Sequence, residues 1–301
     1  MNTIKKFSEN NVFNKEILKD CGYNLEEVII ELSGINREYN IIYISDLHIG
    51  LISEEVSDLH KETVENRIEM FKTPCGFTAK ESWEQLSEIL DNCHADAVLL
   101  GGDMIDFASV SNVKQFVLGC NKIKTPVMFV GADHDFCSWW CNDVSKDAIR
   151  ELYESINATS DLQIIDLDDL YILGINDNTS QADPKTEEHI KEIITKKKPV
   201  ILLQHVPLKS FVDDSLSEKS KCKWNGRILA WGEDCEYIPN DSTARLHNVI
   251  YQNGDVFKMV LSGHMHLSWD GLITTHIRQH VFKEAISGTI GVVKIKKSSD
   301  K

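Results

Sequence analysis

Two hydrophobic patterns alternate along the chain. Short apolar runs rich in β-branched residues occur at 27–32 (EVIIEL), 41–44 (IIYI), 97–100 (AVLL), 126–130 (PVMFV), 199–203 (PVILL) and 256–261. Runs of this length and composition predict buried strands. Shorter strands are expected at 162–165 and 171–175. Between them lie stretches whose apolar positions recur every three or four residues, which predicts helices. The clearest spans 79–92, with Trp83, Leu86, Ile89 and Leu90 on one face. Others are expected up to 117, at 143–156 and at 187–197, and the polar stretch 54–70 fits a helix or a lid. Strands alternating with helices over the whole length predict an α/β fold. No stretch near the N-terminus is rich enough in Pro, Gly or Ser to mark a linker, so 1–301 is expected to be a single domain.

The ends of these strands change the picture from fold to chemistry. The run at 41–44 is followed by Ser45 and Asp46-Leu47-His48. The run at 97–100 leads into Gly101-Gly102-Asp103-Met104-Ile105-Asp106. The third gives Gly131-Ala132-Asp133-His134-Asp135, the fourth Gln204-His205, and the last Ser262-Gly263-His264-Met265-His266. Open α/β sheets bind ligands beyond the carboxyl ends of their strands. One Asp or His in a turn is ordinary, since both are common there. Repetition at five successive strand ends points to a shared metal site of imidazoles and carboxylates.

Composition narrows the class of partner. The formal net charge of -15 argues against a general nucleic-acid surface, which needs basic patches to release counterions. A metal pair would restore positive charge locally, so the global balance says little about a substrate phosphate. The eight cysteines form no C-x-x-C pair, and buried reduced thiols are expected. Residues 1–18 carry Lys5, Lys6, Glu9 and Lys15 without an apolar leader core, and no run approaches a membrane span. A cytoplasmic protein without a membrane partner is expected.

Taken in order, Asp-x-His, Gly-Asp-x-x-Asp, Gly-x-x-His-Asp, His and Gly-His-x-His resemble the motifs of the calcineurin-like metallophosphoesterase superfamily. The blocks run from Asp46 to His266, and the set is far more specific than any one of them. The resemblance implies a four-layer α/β/β/α sandwich of two mixed sheets with a dinuclear metal centre. One ion would take Asp46, His48 and His266, and the other Asp133, His205 and His264, with Asp103 bridging. His134 would stand by the leaving-group oxygen, and Asp106 would orient it. The cofactors implied are two divalent or mixed-valence ions of Mn, Fe or Zn, and the substrate is a small or nucleotide-like phosphomonoester or phosphodiester. Two such ions roughly 3.5–4 Å apart activate a water as hydroxide and clamp the phosphoryl oxygens. Under the same resemblance, the tail at 272–297 would close the second sheet, and His276 and His280 would be structural or surface residues.

Three features bear on which branch of that superfamily the chain resembles. Asp133 stands where the family pattern usually has Asn. That replaces a neutral ligand able to donate a hydrogen bond with a charged one that cannot, and shifts the expected preference toward monoanionic diesters or a trivalent iron. Phe107 follows Asp106, where protein serine/threonine phosphatases carry an arginine, which points away from that branch. The long interval 207–256 carries Lys223, Trp224, Arg227 and Trp231, and fits equally a substrate cap or an extra hairpin that packs its tryptophans. Trp139-Trp140 is open in the same way, with burial slightly favoured. The competing functions are a non-catalytic scaffold on the same fold, which would have lost ligands or His134, and a DNA exonuclease, which the acidic composition opposes.

Overall fold

Each principal strand sends apolar side chains to both faces, and this alone dictates more than two layers. In the computed structural model, which describes residues 12, 13, 18, 21–142, 144–176 and 181–298, strand β2 (Tyr39–Ile44) places Ile42 and Ile44 in one core and Ile41 and Tyr43 in another. Strand β3 (Ala97–Leu100) divides Val98 and Leu100 from Ala97 and Leu99 in the same way. A strand buried on both faces must lie between two layers.

The first sheet has the order β1 (Asn24–Leu32), β11 (Thr289–Lys297), β2, β3 and β4 (Val127–Phe129). The second has the order β5 (Leu162–Asp166), β6 (Tyr171–Ile175), β7 (Val200–Leu203), β8 (Phe257–Ser262), β10 (Arg278–Val281) and β9 (Trp269–Leu272). Both are mixed. Strands β2, β3 and β4 are parallel, as are β6, β7, β8 and β10, while β11 runs antiparallel to β2. Tyr39, Ile41, Tyr43 and Leu99 of the first sheet meet Ile172, Ile201, Leu203, Met259 and Leu261 of the second in a central core.

Helices cover the outer faces. Over the first sheet, α2 (Ala79–Asp91) brings Trp83, Leu86 and Leu90, α3 (Val110–Cys120) brings Phe116, the short α4 (Asp133–Phe136) brings Phe136, and α5 (Lys146–Glu154) brings Tyr153. The α2 N-terminus is fixed by a reciprocal Thr78–Glu81 capping box. Over the second sheet, Ile190 of α6 (Pro184–Ile194), Leu216 of α7 (Ser215–Lys223), and Leu246 and Ile250 of α8 (Asp241–Gln252) pack against Leu173, Leu202 and Val260. The architecture is therefore α/β/β/α, as expected. Preceding these, α1 (Lys61–Met70) occupies the stretch read as a helix or lid.

One strand departs from expectation. The tail at 272–297 does not simply close the second sheet: β10 does, but β11 inserts between β1 and β2 in the first. Its burial on both faces suits an interior position in either sheet, so its pattern could not choose. Residues 1–11 and 14–17, which hold most of the segment read as lacking a leader, lie outside the described residues, as does Asp143 at the start of the expected 143–156 helix. Among the described residues, no helix is long and apolar enough to cross a membrane.

The two sheets are joined at one edge by a charged cluster. His280 Nδ1 lies 2.7 Å from Asp270 and its Nε2 2.9 Å from Glu26 of β1, while Arg278 grips Asp270 with both ends of its guanidinium. Burial lowers the His280 pKa, but its two carboxylate partners outweigh this and hold it above the ordinary value. Burial raises Glu26 and Asp270, and their hydrogen bonds, with His280 first among them, bring both below theirs. The histidine contribution to stability is thus complete below its unfolded pKa, about 6.5, and is lost as pH rises through its folded value. The carboxylate contribution is complete above about pH 4.5 and is lost as pH falls. The Tm difference between wild type and His280→Gln is expected to be largest between about pH 4.5 and 6.5 and to shrink on either side. Thermal melts from pH 4 to 9 would read this, and a difference independent of pH would refute the ion-pair account.

Candidate metal centre

Parallel strands β2, β3 and β4 of one sheet and β7 and β8 of the other end on the same side of the molecule. The loops after β2 and β3 run paired: Asp46 N–H donates to Gly102 O, Leu47 and His48 N–H both donate to Asp103 O, and Ile49 N–H donates to Met104 O. Gly263 N–H donates to His205 O and joins the loops after β7 and β8. The two sheets meet where Asp46 accepts the His264 N–H with both carboxylate oxygens, at 3.0 and 3.1 Å.

The backbone is strained where the candidate ligands sit. Asp46, His48, Asp103, His264 and His266 all have left-handed φ, between 49° and 69°. That conformation costs a non-glycine residue on the order of 1–3 kcal/mol. Five such residues gathered at one point indicate a site whose geometry the surrounding fold enforces. Two glycines permit the close approach. A Cβ on Gly102, at φ +92°, would stand 2.5 Å from His205 Nδ1, and one on Gly263 would stand 2.4 Å from Asp46 Oδ2.

Potential ligand atoms fall into three overlapping groups, each within 4.8 Å: Asp46, His48 and His266; His48, Asp103 and His134; and Asp103, His205 and His264. Asp103 and His48 each belong to two groups, which makes a continuous site rather than separate ones. Inside it, His205 Nε2 is 3.2 Å from Asp103 and His266 Nε2 is 3.3 Å from Asp46. His205 Nδ1 is fixed by the Gly101 carbonyl at 2.6 Å, which turns Nε2 toward the carboxylates. Asp133 stands apart from all three groups, and its Oδ1 accepts the N–H of His134 at 2.8 Å.

Electrostatics prepare these groups as ligands. Burial raises the Asp46 pKa, but the His266 hydrogen bond and the nearby His205 overcome it and bring it to about 2. Asp103, ringed by His205, His134 and His48, is held well below the ordinary carboxylate range despite burial. Burial and His205 push His264 down to about 3, so its imidazole is neutral at neutral pH. Asp103 Oδ1 and His264 Nε2 are buried without a hydrogen-bond partner among the described residues. Ionised carboxylates, a neutral imidazole and buried donor atoms with no protein partner fit a pair of divalent transition-metal ions.

Asp106 acts differently from its expected role. Its backbone carbonyl, not its carboxylate, takes His134 Nδ1, at 2.6 Å against 3.6 Å to the nearer carboxylate oxygen. The carboxylate instead lies 3.1 Å from His48 Nδ1 and receives a two-pronged contact from Arg67 of α1, at 2.7 and 2.6 Å. Arg67 is itself sandwiched by Phe71 and Trp140. Replacing Arg67 with Ala is expected to weaken Mn binding by about 10–100-fold, as loss of a partner that orients a ligand generally does. Titration calorimetry would measure this, with Arg67→Lys falling between because it keeps the charge but not the fork.

Three residues outside the expected ligand set also shape the site. Asp135 is fully buried and gathers the N–H groups of Ala132, Asp103, Met104 and Ile105 at 2.8–3.1 Å, tying the β3 and β4 loops together. Burial and the Asp103 charge raise its pKa to about 7 against those four donors. Trp139 lies exposed with its ring 4.7 Å from His134, so burial holds only for its half-buried neighbour Trp140. Tyr237 meets His264 at 4.9 Å. Asp135 had a visible signal as the second aspartate of the third block and Trp139 as part of the Trp139-Trp140 pair, whereas Tyr237 had none.

The 207–256 interval divides into two parts. Helix α8 is an ordinary outer-layer helix beside α6, leaving 207–240 as the elaboration. There Trp231 is buried in the outer core, whereas Trp224 donates its indole N–H to Met265 O with its ring 5.9 Å from His266. Arg227 pairs with Glu236 at the surface. His276 is exposed and His280 belongs to the charged cluster, so neither joins the centre.

Comparison with known proteins places the chain in a family. An uncharacterized metallophosphoesterase of Helicobacter pylori is 23% identical over 189 residues, covering 61% of this chain and 42% of that protein. The chain thus spans less than half the length of the curated relative it matches. Among solved structures, a dimetal phosphatase from Danio rerio aligns over 83% of this chain and 88% of its own at 11% identity, with a TM-score of 0.48. A purple acid phosphatase from yellow lupin seeds aligns over 87% of this chain and 44% of its own at 14% identity, with a TM-score of 0.46. The family model for calcineurin-like phosphoesterases matches residues 39–268, the span that carries every strand-end motif described above. By that match, the chain belongs to the calcineurin-like phosphoesterase family.

Proposed function

We propose that the chain is a metal-dependent phosphoesterase that hydrolyses a phosphomonoester or phosphodiester of a small or nucleotide-like substrate. The observation that supports this reading most is the continuous set of ligand groups at the junction of the two sheets, with His134 at its margin. Asp46, His48 and His266 would hold one ion, and Asp103, His205 and His264 the other, with Asp103 shared. Manganese, iron and zinc all suit this donor set. When bound, such ions lower the pKa of a water and neutralise phosphoryl charge.

The protein's own groups supply the rest. With His134 Nδ1 committed to the Asp106 carbonyl, Nε2 is the nitrogen left to serve a departing oxygen as general acid. Burial opposes protonation of His134, but Asp103 and the Asp106 carbonyl outweigh it and raise its pKa, which favours the proton-carrying form. Asp133 Oδ1 accepts the His134 amide, which leaves Oδ2 as the oxygen that would enter the second ligand group.

The test compares bis-p-nitrophenyl phosphate with p-nitrophenyl phosphate after chelation and Mn reconstitution. Metal-dependent turnover of either supports the reading, and the faster substrate assigns diester or monoester preference. Neither turnover nor bound metal would overturn it in favour of a non-catalytic scaffold.

A further inference from the structure

Four aromatic rings surround the candidate centre, each against a different imidazole. Phe71 stacks on His48 with centroids 4.3 Å apart, Trp139 meets His134 at 4.7 Å, Tyr237 meets His264 at 4.9 Å and Trp224 meets His266 at 5.9 Å. Three of them are held by other parts of the protein. Phe71 lies under the Arg67 guanidinium, Tyr237 packs on Trp231, and Trp224 is tied to the Met265 carbonyl.

Trp139 is the most open of the four, with a ring contact to Trp140 at 5.9 Å. It is 45% exposed, and its indole N–H makes no hydrogen bond among the described residues. Its neighbour Trp140 packs on Phe107 and Arg67, so the core's requirement at this turn is already met by the adjacent ring. A large aromatic surface left in water beside the general-acid candidate is suited to stacking, which is tolerant of ring identity because every aromatic group presents a π-face.

We propose that Trp139 is a stacking surface for an aromatic ring carried by the leaving group of the substrate. This rests on the phosphoesterase reading and on His134 as the group that serves the departing oxygen. The substrate class is then a phosphate ester of an aromatic alcohol or a nucleoside, with the ring lying on the Trp139 side of the centre. Simple alkyl phosphates would be bound through the phosphoryl group alone.

Benzyl phosphate and ethyl phosphate offer alkoxide leaving groups of similar basicity, which isolates the ring from the chemistry. The wild type is expected to prefer benzyl over ethyl phosphate in kcat/KM, and Trp139→Ala to lose about tenfold on benzyl phosphate with little change on ethyl phosphate. Trp139→Phe should retain most of the preference. Equal losses on both esters in Trp139→Ala would overturn the proposal, because a structural defect does not discriminate between them. Binding of benzylphosphonate and ethylphosphonate by calorimetry in Mn-containing buffer tests the same ring without turnover. Tighter binding of the benzyl compound that is lost in Trp139→Ala supports stacking even if no ester is hydrolysed, whereas equal binding of the two, or none, overturns it.

Discussion

Asp103→Asn is expected to lower metal-dependent ester hydrolysis on the order of 10³-fold, beyond the roughly 100-fold that loss of an orienting partner outside the ligand set costs. Asp103 is the carboxylate shared between two of the three ligand groups, 3.2 Å from His205 and 3.9 Å from His48. Three imidazoles, His205 first, hold its pKa well below the ordinary carboxylate range despite burial, so the wild-type group is ionised at neutral pH. Asparagine keeps the shape and tolerates the left-handed backbone at φ 52°, as alanine would not. It removes the charge and one of the two acceptor oxygens needed to serve two ions at once. Metal content after Mn reconstitution should fall from two ions toward one, read by elemental analysis beside turnover. Two ions bound with unchanged turnover would show that Asp103 is not the shared ligand.

The second large effect is structural. Asp135→Ala strips the acceptors from four buried N–H groups, those of Ala132, Asp103, Met104 and Ile105. An unsatisfied buried donor costs about 1–3 kcal/mol, and some relaxation and water entry is expected. The variant should therefore lose about 3–5 kcal/mol, at the upper end of single substitutions. Urea denaturation would measure the loss as a lower midpoint. Asp135→Asn, which keeps one acceptor oxygen, should fall between. The loops released also carry Asp103, so metal affinity should drop with stability. A midpoint unchanged in Asp135→Ala would mean that other groups or water satisfy those amides.

The two roles show why some of this site was legible in the sequence and some was not. Asp46, His48, Asp103, His205, His264 and His266 each lie within a few residues of the end of a short apolar run, and a strand end is a fixed address within an α/β sheet. Their convergence follows from parallel strands once the two sheets are stacked. Arg67 comes from a helix whose polar sequence carries no periodic signal, and its reach to Asp106 depends on where α1 docks. Trp139 and Trp140 are the same residue type in adjacent positions, so only the packing of one against Phe107 separates their environments. Asp106 lay in a motif, yet its division of labour between carbonyl and carboxylate is settled by side-chain placement, 2.6 Å against 3.6 Å from His134 Nδ1, that no motif encodes. The β11 strand shows the same limit at the level of fold: burial on both faces says interior, not which sheet.

The position of β11 also sets an order in time. Strand β2 ends at Ile44, and the strand that must lie against it begins at Thr289. At about 5–20 residues per second of synthesis, β2 waits roughly 12–50 s for that neighbour. The edges of β1 and β2 stay open throughout, so a chain still on the ribosome is expected to depend on chaperone cover of its first sheet. Every candidate ligand is made before Thr289 is reached. Stable metal loading is therefore expected to follow the synthesis of β11, and a chain arrested just short of it should carry the complete ligand set and still fail to retain its ions.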